Sequence, residues 1–139
     1  MRISANVLNS QDNHQIVLKT NENVHSLEIA SKPTGYGSSA NGGELLFLAL
    51  ATCYVNDIYR EAAKKGIKIE RVEVEVTGDF DLEGAPAKNV AYKVRLAADA
   101  DEAELLELMQ LTDSVSEIQN TLRVGTPVTL LETEIFKVE

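Results

Sequence analysis

Apolar and polar positions alternate along the first part of the chain. Polar residues separate Ile3, Ala5 and Val7, and Ile16 and Leu18 keep the same spacing of two. Val24, Leu27 and Ile29 form a third, less regular run. A period of two is the pattern of a strand with one packed face and one wet face. The polar clusters 9–13 and 20–23 lie between the runs and read as turns. Together these segments predict a three-stranded antiparallel meander. Lys32 to Gly43 is rich in Gly and Ser but has neither a Walker pattern nor a dinucleotide fingerprint. It therefore reads as a connector rather than a phosphate loop.

From Asn41 the period becomes helical. Asn41 can cap the helix and Glu44, three residues on, can bond back to it. Gly66 stops the helix after Lys64 and Lys65, whose charge suits its C-terminal end. About 24 residues at 1.5 Å each give a helix of roughly 36 Å. Leu45 to Ala51 is apolar all round, which predicts a first half enclosed by protein. The second half sets Ile58, Tyr59, Ala62 and Ala63 against Asp57, Arg60, Glu61 and Lys64, an amphipathic pattern.

Ile69 to Thr77 and Asn89 to Leu96 alternate strictly and predict two strands joined by the turn segment 79–88. Glu73 and Glu75 share their strand's polar face, as Lys93 and Arg95 do on theirs, so pairing in register makes the charges complementary. Asp101 to Leu111 and Ser114 to Leu122 predict two helices, and Thr126 to Phe136 a last strand. The expected fold is a single α+β domain over residues 1–139, in the order βββ–α–ββ–αα–β.

The net charge of −9 comes without a basic cluster and argues against a nucleic-acid partner. No apolar stretch is long enough to span a bilayer, and no signal region opens the chain, so the expectation is a soluble, cytoplasmic protein. A single cysteine, Cys53, excludes an intramolecular disulfide framework. His14 and His25 make no zinc site by themselves, and neither a metal nor an organic cofactor is indicated. Each histidine reads as a solvated strand residue, with general-base work the lesser alternative. Tyr36, Tyr54 and Tyr59 read as core aromatics, with a pocket lining as the alternative.

The element order, with Glu44-Leu-Leu-Phe-Leu-Ala-Leu-Ala-Thr-Cys-Tyr54 on a buried helix, resembles the OsmC/Ohr family of osmotically inducible and organic-hydroperoxide-resistance proteins. The Ala-Lys-Lys-Gly-Ile run ending at Ile67 and the late Gly125 to Val128 run add to the likeness. The resemblance implies an intertwined homodimer with sites where the protomers meet. It also implies thiol chemistry: one cysteine attacks the peroxide, becomes a sulfenic acid and forms a disulfide with a second. An arginine and a glutamate hold the reactive thiolate, because only the thiolate attacks.

The chain departs from that pattern in three places. The second cysteine should open the late helix, where the matching stretch is Thr112 to Ser116 and Asp113 takes the cysteine position. The glutamate should lie ten positions before Cys53, at Gly43, whereas Glu44 is one position late. The arginine should come from the amino-terminal strands, where Arg2 is the only one. Cys53 is thus either a nucleophile or a small buried core residue. Glu44 is a capping residue first and a catalytic candidate second. Asp57, one turn after Cys53, would raise the thiol pKa, and a cation would have to come from Arg2, Arg60 or a partner chain.

Two functions from different classes follow. One is a one-cysteine thiol peroxidase that reduces organic hydroperoxides with an external thiol. The other is a non-catalytic family member that binds a small apolar ligand in a dimer-interface pocket. A purely structural role has no positive support in the sequence.

Overall fold

A computed structural model describes residues 1–138. The chain forms two compact units, Met1–Leu48 and the remainder from Ala49.

The first unit is built on an antiparallel sheet of β1 (Ile3–Ser10), β2 (Asn13–Thr20) and β3 (Asn23–Ser26), in the order β1-β2-β3. Asp12 (φ 57°) and Asn21 (φ 51°) make the two tight turns in the left-handed region, which Asn and Asp tolerate better than other side chains. The register sets Ala5 opposite Leu18 and Val7 opposite Ile16, so the apolar stripe read from the sequence lies on one sheet face. Of these strands only Ile16 is buried, and every residue of β1 is exposed. The Gly-rich segment is tied to the first hairpin. Asn9 donates to the Gly37 carbonyl (3.2 Å) and accepts from its N–H (3.1 Å), and the Asp12 N–H donates to the Gly35 carbonyl (2.7 Å). Gly35 has φ +92°, and a Cβ there would lie 2.7 Å from Asp12 Oδ1, so only glycine fits.

Helix α1 (Gly42–Lys64) begins in the first unit with the reciprocal cap the sequence predicts. The Asn41 N–H donates to Glu44 Oε1 (2.9 Å) and the Glu44 N–H to Asn41 Oδ1 (2.8 Å). Gly66 ends it at φ 68°. Burial along α1 differs from the expectation at both ends. Leu48 is 55% exposed, whereas Tyr54, Ile58 and Ala62 are buried. A helix apolar all round needs cover on every side, and a single chain does not supply that cover around Leu48. In the second half, Asp57 and Glu61 are buried and Tyr59 is exposed. The buried stripe therefore includes two carboxylates that the amphipathic pattern assigns to the wet side.

In the second unit, β4 (Ile69–Asp79) pairs antiparallel with β5 (Lys88–Ala98). Glu73 lies opposite Arg95 and Glu75 opposite Lys93, as their charges predict, and Arg95 Nη1 reaches Glu73 Oε1 at 2.7 Å. Helix α2 (Glu102–Val115) runs one turn past the expected end, and α3 (Glu117–Arg123) follows after Ser116. Thr112 and Ser116 close the backbone there by donating to the carbonyls four residues back, Leu108 and Thr112 (both 2.7 Å). The core joins Tyr54, Ile58 and Ala62 of α1 to Leu108 of α2, with Val72, Val74, Tyr92, Val94 and Leu96 of the sheet packed against them.

The last strand expected over 126–136 does not form within the protomer. That segment has no regular secondary structure, with Val128, Leu130, Leu131, Ile135 and Phe136 all exposed. A strand exists only when its N–H and C=O groups find a ladder, and none of the described strands pairs with it. The expected order is otherwise reproduced, and the fold is α+β with antiparallel sheets and three helices.

Candidate functional site

Cys53 lies half-buried at the middle of α1. Residues four apart share a helix face, which brings Asp57 beside it. The thiol contacts Asp57 Oδ2 at 3.5 Å and, from the first turn of α3, Glu117 Oε2 at 3.8 Å. A thiol has one proton, so it donates to one of these carboxylates at a time. The backbone N–H of Ile118, beside Glu117, acts on the sulfur in the opposite sense to the two carboxylates.

The second oxygen of Asp57 is held by Arg60, whose Nη1 donates to Oδ1 at 2.9 Å. The same guanidinium donates through Nε to Glu61 Oε2 at 2.9 Å, and Lys64 Nζ reaches that oxygen at 3.0 Å. The buried carboxylates of α1 are thus compensated by cations from the next turn of the same helix, the arrangement a buried charge requires.

Burial pushes the Cys53 thiol above its ordinary pKa. The Ile118 N–H pulls it back, and the charges of Asp57 and Glu117 push it further up. Burial also raises Asp57, against the thiol's hydrogen bond and Arg60 and with the help of Glu117. Glu117 is lowered, first by its own N–H at the start of α3. At neutral pH the sulfur is therefore mainly a thiol, facing two proton acceptors, of which burial makes Asp57 more basic than an ordinary aspartate. Sγ, an Asp57 oxygen and a Glu117 oxygen lie within 4.8 Å of one another, so these donors could also hold a small cation. The hydrogen bonds among them and Arg60 occupy the same atoms.

The family model described as OsmC-like protein matches residues 35–131. The chain belongs to the OsmC-like protein family. Among solved structures, it is similar to an OsmC-like protein from Mycoplasma pneumoniae, at 19% identity over 90% of this chain and 87% of that one, with a TM-score of 0.63. An OsmC-like hydroperoxide resistance protein from Jannaschia sp. CCS1 follows at 15% identity, 94% and 91% coverage and a TM-score of 0.54. A putative organic hydroperoxide resistance protein from Vibrio cholerae, with captopril bound in one of its active sites, matches at 20% identity, 90% and 86% coverage and a TM-score of 0.54. At these identities the likeness establishes the fold. No protein of curated function matches the chain in sequence.

Within this OsmC-like protein, the residues singled out from the sequence divide. Asp113 does not hydrogen-bond to Cys53. Its Oδ1 accepts from the Tyr92 hydroxyl and, at 2.7 Å, from Arg123 Nη2. The acid that reaches the thiol from this region is Glu117, one turn later. Glu44 is engaged in the α1 cap. Arg2 closes the β2–β3 turn through its backbone, accepting from the Asn21 N–H at 2.8 Å and donating to Asn21 Oδ1 at 3.0 Å. Tyr54 is core, whereas Tyr36 and Tyr59 are exposed. His14 bonds Asn9 at 2.8 Å on the first sheet.

Sequence reasoning missed Glu117 altogether and saw Asp57 only as a charge that disfavours the thiolate. The i, i+4 spacing of Cys53 and Asp57, with Arg60 three residues on, is the signal that carried part of the site. Nothing in the local sequence tied Glu117 to residue 53. Among the described residues, no helix is long and apolar enough to cross a membrane.

Proposed function

We propose that this OsmC-like protein is a one-cysteine thiol peroxidase in which Asp57 takes the Cys53 proton as an organic hydroperoxide arrives. One observation carries the reading: Asp57 Oδ2 lies 3.5 Å from Sγ while Arg60 holds the opposite oxygen at 2.9 Å. The carboxylate is oriented on the sulfur, and burial raises its pKa, which strengthens it as a proton acceptor. The Ile118 N–H stabilises the thiolate as it forms.

The thiol proton passes to Asp57 and the sulfur attacks the distal peroxide oxygen. The O–O bond breaks, Cys53 becomes a sulfenic acid, and the alkoxide leaves as an alcohol with the proton from Asp57. The chain has one cysteine, so an external thiol must condense with the sulfenic acid and release water. A second external thiol then breaks the mixed disulfide. One hydroperoxide and two thiols give one alcohol, one water and one disulfide. The names of the hydroperoxide resistance relatives support this substrate class.

The same proposal takes the working form to be a homodimer. The first sheet has one buried residue, Leu48 is exposed, and the apolar segment 126–138 finds no strand partner among the described residues. A two-faced exposed sheet is too weak to stand uncovered, and a second copy supplies both a face and an edge. A reducing, cytoplasmic setting fits a cycle that consumes external thiol.

The competing reading is a non-catalytic member that binds a small apolar ligand, and the raised thiol pKa favours it. Cumene hydroperoxide separates the two. Saturable oxidation of Cys53, a sulfenic acid trapped by dimedone and turnover on adding a dithiol are the expected results. Oxidation no faster than that of a free thiol, or equal consumption of peroxide by Cys53→Ser, would leave only the ligand-binding reading.

A further inference from the structure

Asp113 stands at the junction of α2 and α3 and joins three elements. Its Oδ1 accepts from the Tyr92 hydroxyl of β5 and from Arg123 Nη2, the last residue of α3, at 2.7 Å. Its backbone carbonyl accepts from the Ser116 N–H (3.4 Å), which starts α3, and from Arg123 Nη1 (3.4 Å). The Tyr92 ring meets Tyr54 edge-on, with centroids 5.3 Å apart, and Tyr54 is the residue next to Cys53. Helix α3 therefore carries Glu117 and Ile118 to the thiol at one end and is tied to Asp113 at the other. A seven-residue helix holds its direction only through such tertiary ties.

We propose that Asp113 is a positioning residue that docks α3 and so places Glu117 and the Ile118 N–H against Cys53. The tie from Gln119 Nε2 to the Leu50 carbonyl (3.0 Å) holds the middle of α3 to α1. Asn120 Nδ2 ties the helix back to the Ser114 carbonyl of α2 (3.1 Å), and the Arg123–Asp113 pair fixes its far end. The arrangement predicts energetic coupling between two residues that share no contact: Asp113 governs what Glu117 does to the thiol. The groups facing the sulfur are Asp57 and Glu117, with Arg60 behind Asp57, so the charge of Glu117 is read against a fixed background. The inference does not require Cys53 to reduce peroxide.

The test is the pH profile of Cys53 alkylation by iodoacetamide at low ionic strength, in a double-mutant cycle on the full chain. In the native background Glu117→Gln removes a negative charge beside the sulfur. The thiol pKa falls by about half a unit, and alkylation at pH 7 speeds up about threefold. In the Asp113→Ala background, the same Glu117→Gln change leaves the rate within about 1.3-fold, because the undocked helix no longer holds residue 117 beside the sulfur; that loss of additivity is the coupling the cycle measures. Asp113→Glu restores the threefold effect. Should Asp113→Ala fail to fold, Arg123→Met serves as the second background, because that side chain is 49% exposed and its loss removes the ion pair and the Nη1 bonds to the Asp113 carbonyl and Asn120 while leaving the Tyr92–Asp113 bond. An equal Glu117→Gln effect in every background, or no effect in the native one, would overturn the inference.

Discussion

The two sheets have the same sequence pattern and opposite fates. β1 and β2 place apolar residues at every second position as β4 and β5 do, yet the first sheet buries only Ile16. The second packs Val72, Val74, Tyr92, Val94 and Leu96 against α1 and α2. Alternation says that a strand has an apolar face; it does not say what covers it. In the second unit the cover comes from the same chain, and the candidate site lies beside that core, where α3 meets α1. In the first unit the cover must come from elsewhere or be missing.

Substitution should expose that contrast. Ile58 is fully buried, so Ile58→Ala should cost about 2–5 kcal/mol in urea unfolding. An Ile58→Ala cost below 1 kcal/mol would mean the second core is not packed as described. Asp113→Ala comes next, at about 1–3 kcal/mol at pH 7, because it deprives Tyr92 and Arg123 of a charged acceptor. Burial alone would raise the Asp113 pKa, but the Tyr92 and Arg123 hydrogen bonds bring it below the ordinary value. The folded state therefore takes up this proton less readily than the unfolded chain. The stability it confers is complete above the unfolded value of about 3.9 and is lost as pH falls through the lowered folded value. The cost of Asp113→Ala should accordingly shrink in unfolding curves taken below pH 3.

On the first sheet, Val7 is 57% exposed in the protomer. In the proposed homodimer, Val7→Ala should cost about 1 kcal/mol, the value of a buried methylene or so, and thermal unfolding should depend on protein concentration. A cost near zero that ignores concentration would mean the sheet stays uncovered. Gly35→Ala should also lower stability by about 1 kcal/mol, because φ +92° and the close Asp12 oxygen exclude a Cβ. The smallest effect belongs to Glu73→Gln. Its pair with Arg95 is exposed on both sides, so the loss should stay below about 1 kcal/mol and vanish in high salt.

Much of the fold was legible because local chemistry specified it. The Asn41–Glu44 cap, the Gly66 stop, the turns at Asp12 and Asn21 and the Glu73–Arg95 register each follow from residues a few positions apart or from charge matching. The expected strand over 126–136 failed because a strand's existence depends on a partner edge, which its own sequence does not encode. The site was half legible for a similar reason. Cys53 and Asp57 share a face by helical spacing, but Glu117 reaches them through the fold of α2 and α3. Family likeness pointed to Asp113 as the residue opposite the thiol, whereas Tyr92 and Arg123 draw it away. The burial of Asp57 and Glu61 escaped a reading by periodicity, since charged residues normally mark the wet face.

The central claim is that Asp57 acts as the proton acceptor for Cys53 rather than as a mere charge beside it. The most direct test compares native protein with Asp57→Asn in the rate of Cys53 oxidation by cumene hydroperoxide, with iodoacetamide alkylation as the reference reaction. Loss of the negative charge lowers the thiol pKa, so alkylation at pH 7 should rise about threefold. Oxidation by the hydroperoxide should instead fall by roughly a hundredfold, the scale of a lost general base. If both reactions speed up together in Asp57→Asn, the carboxylate only suppresses the thiolate, and the proposed mechanism is wrong.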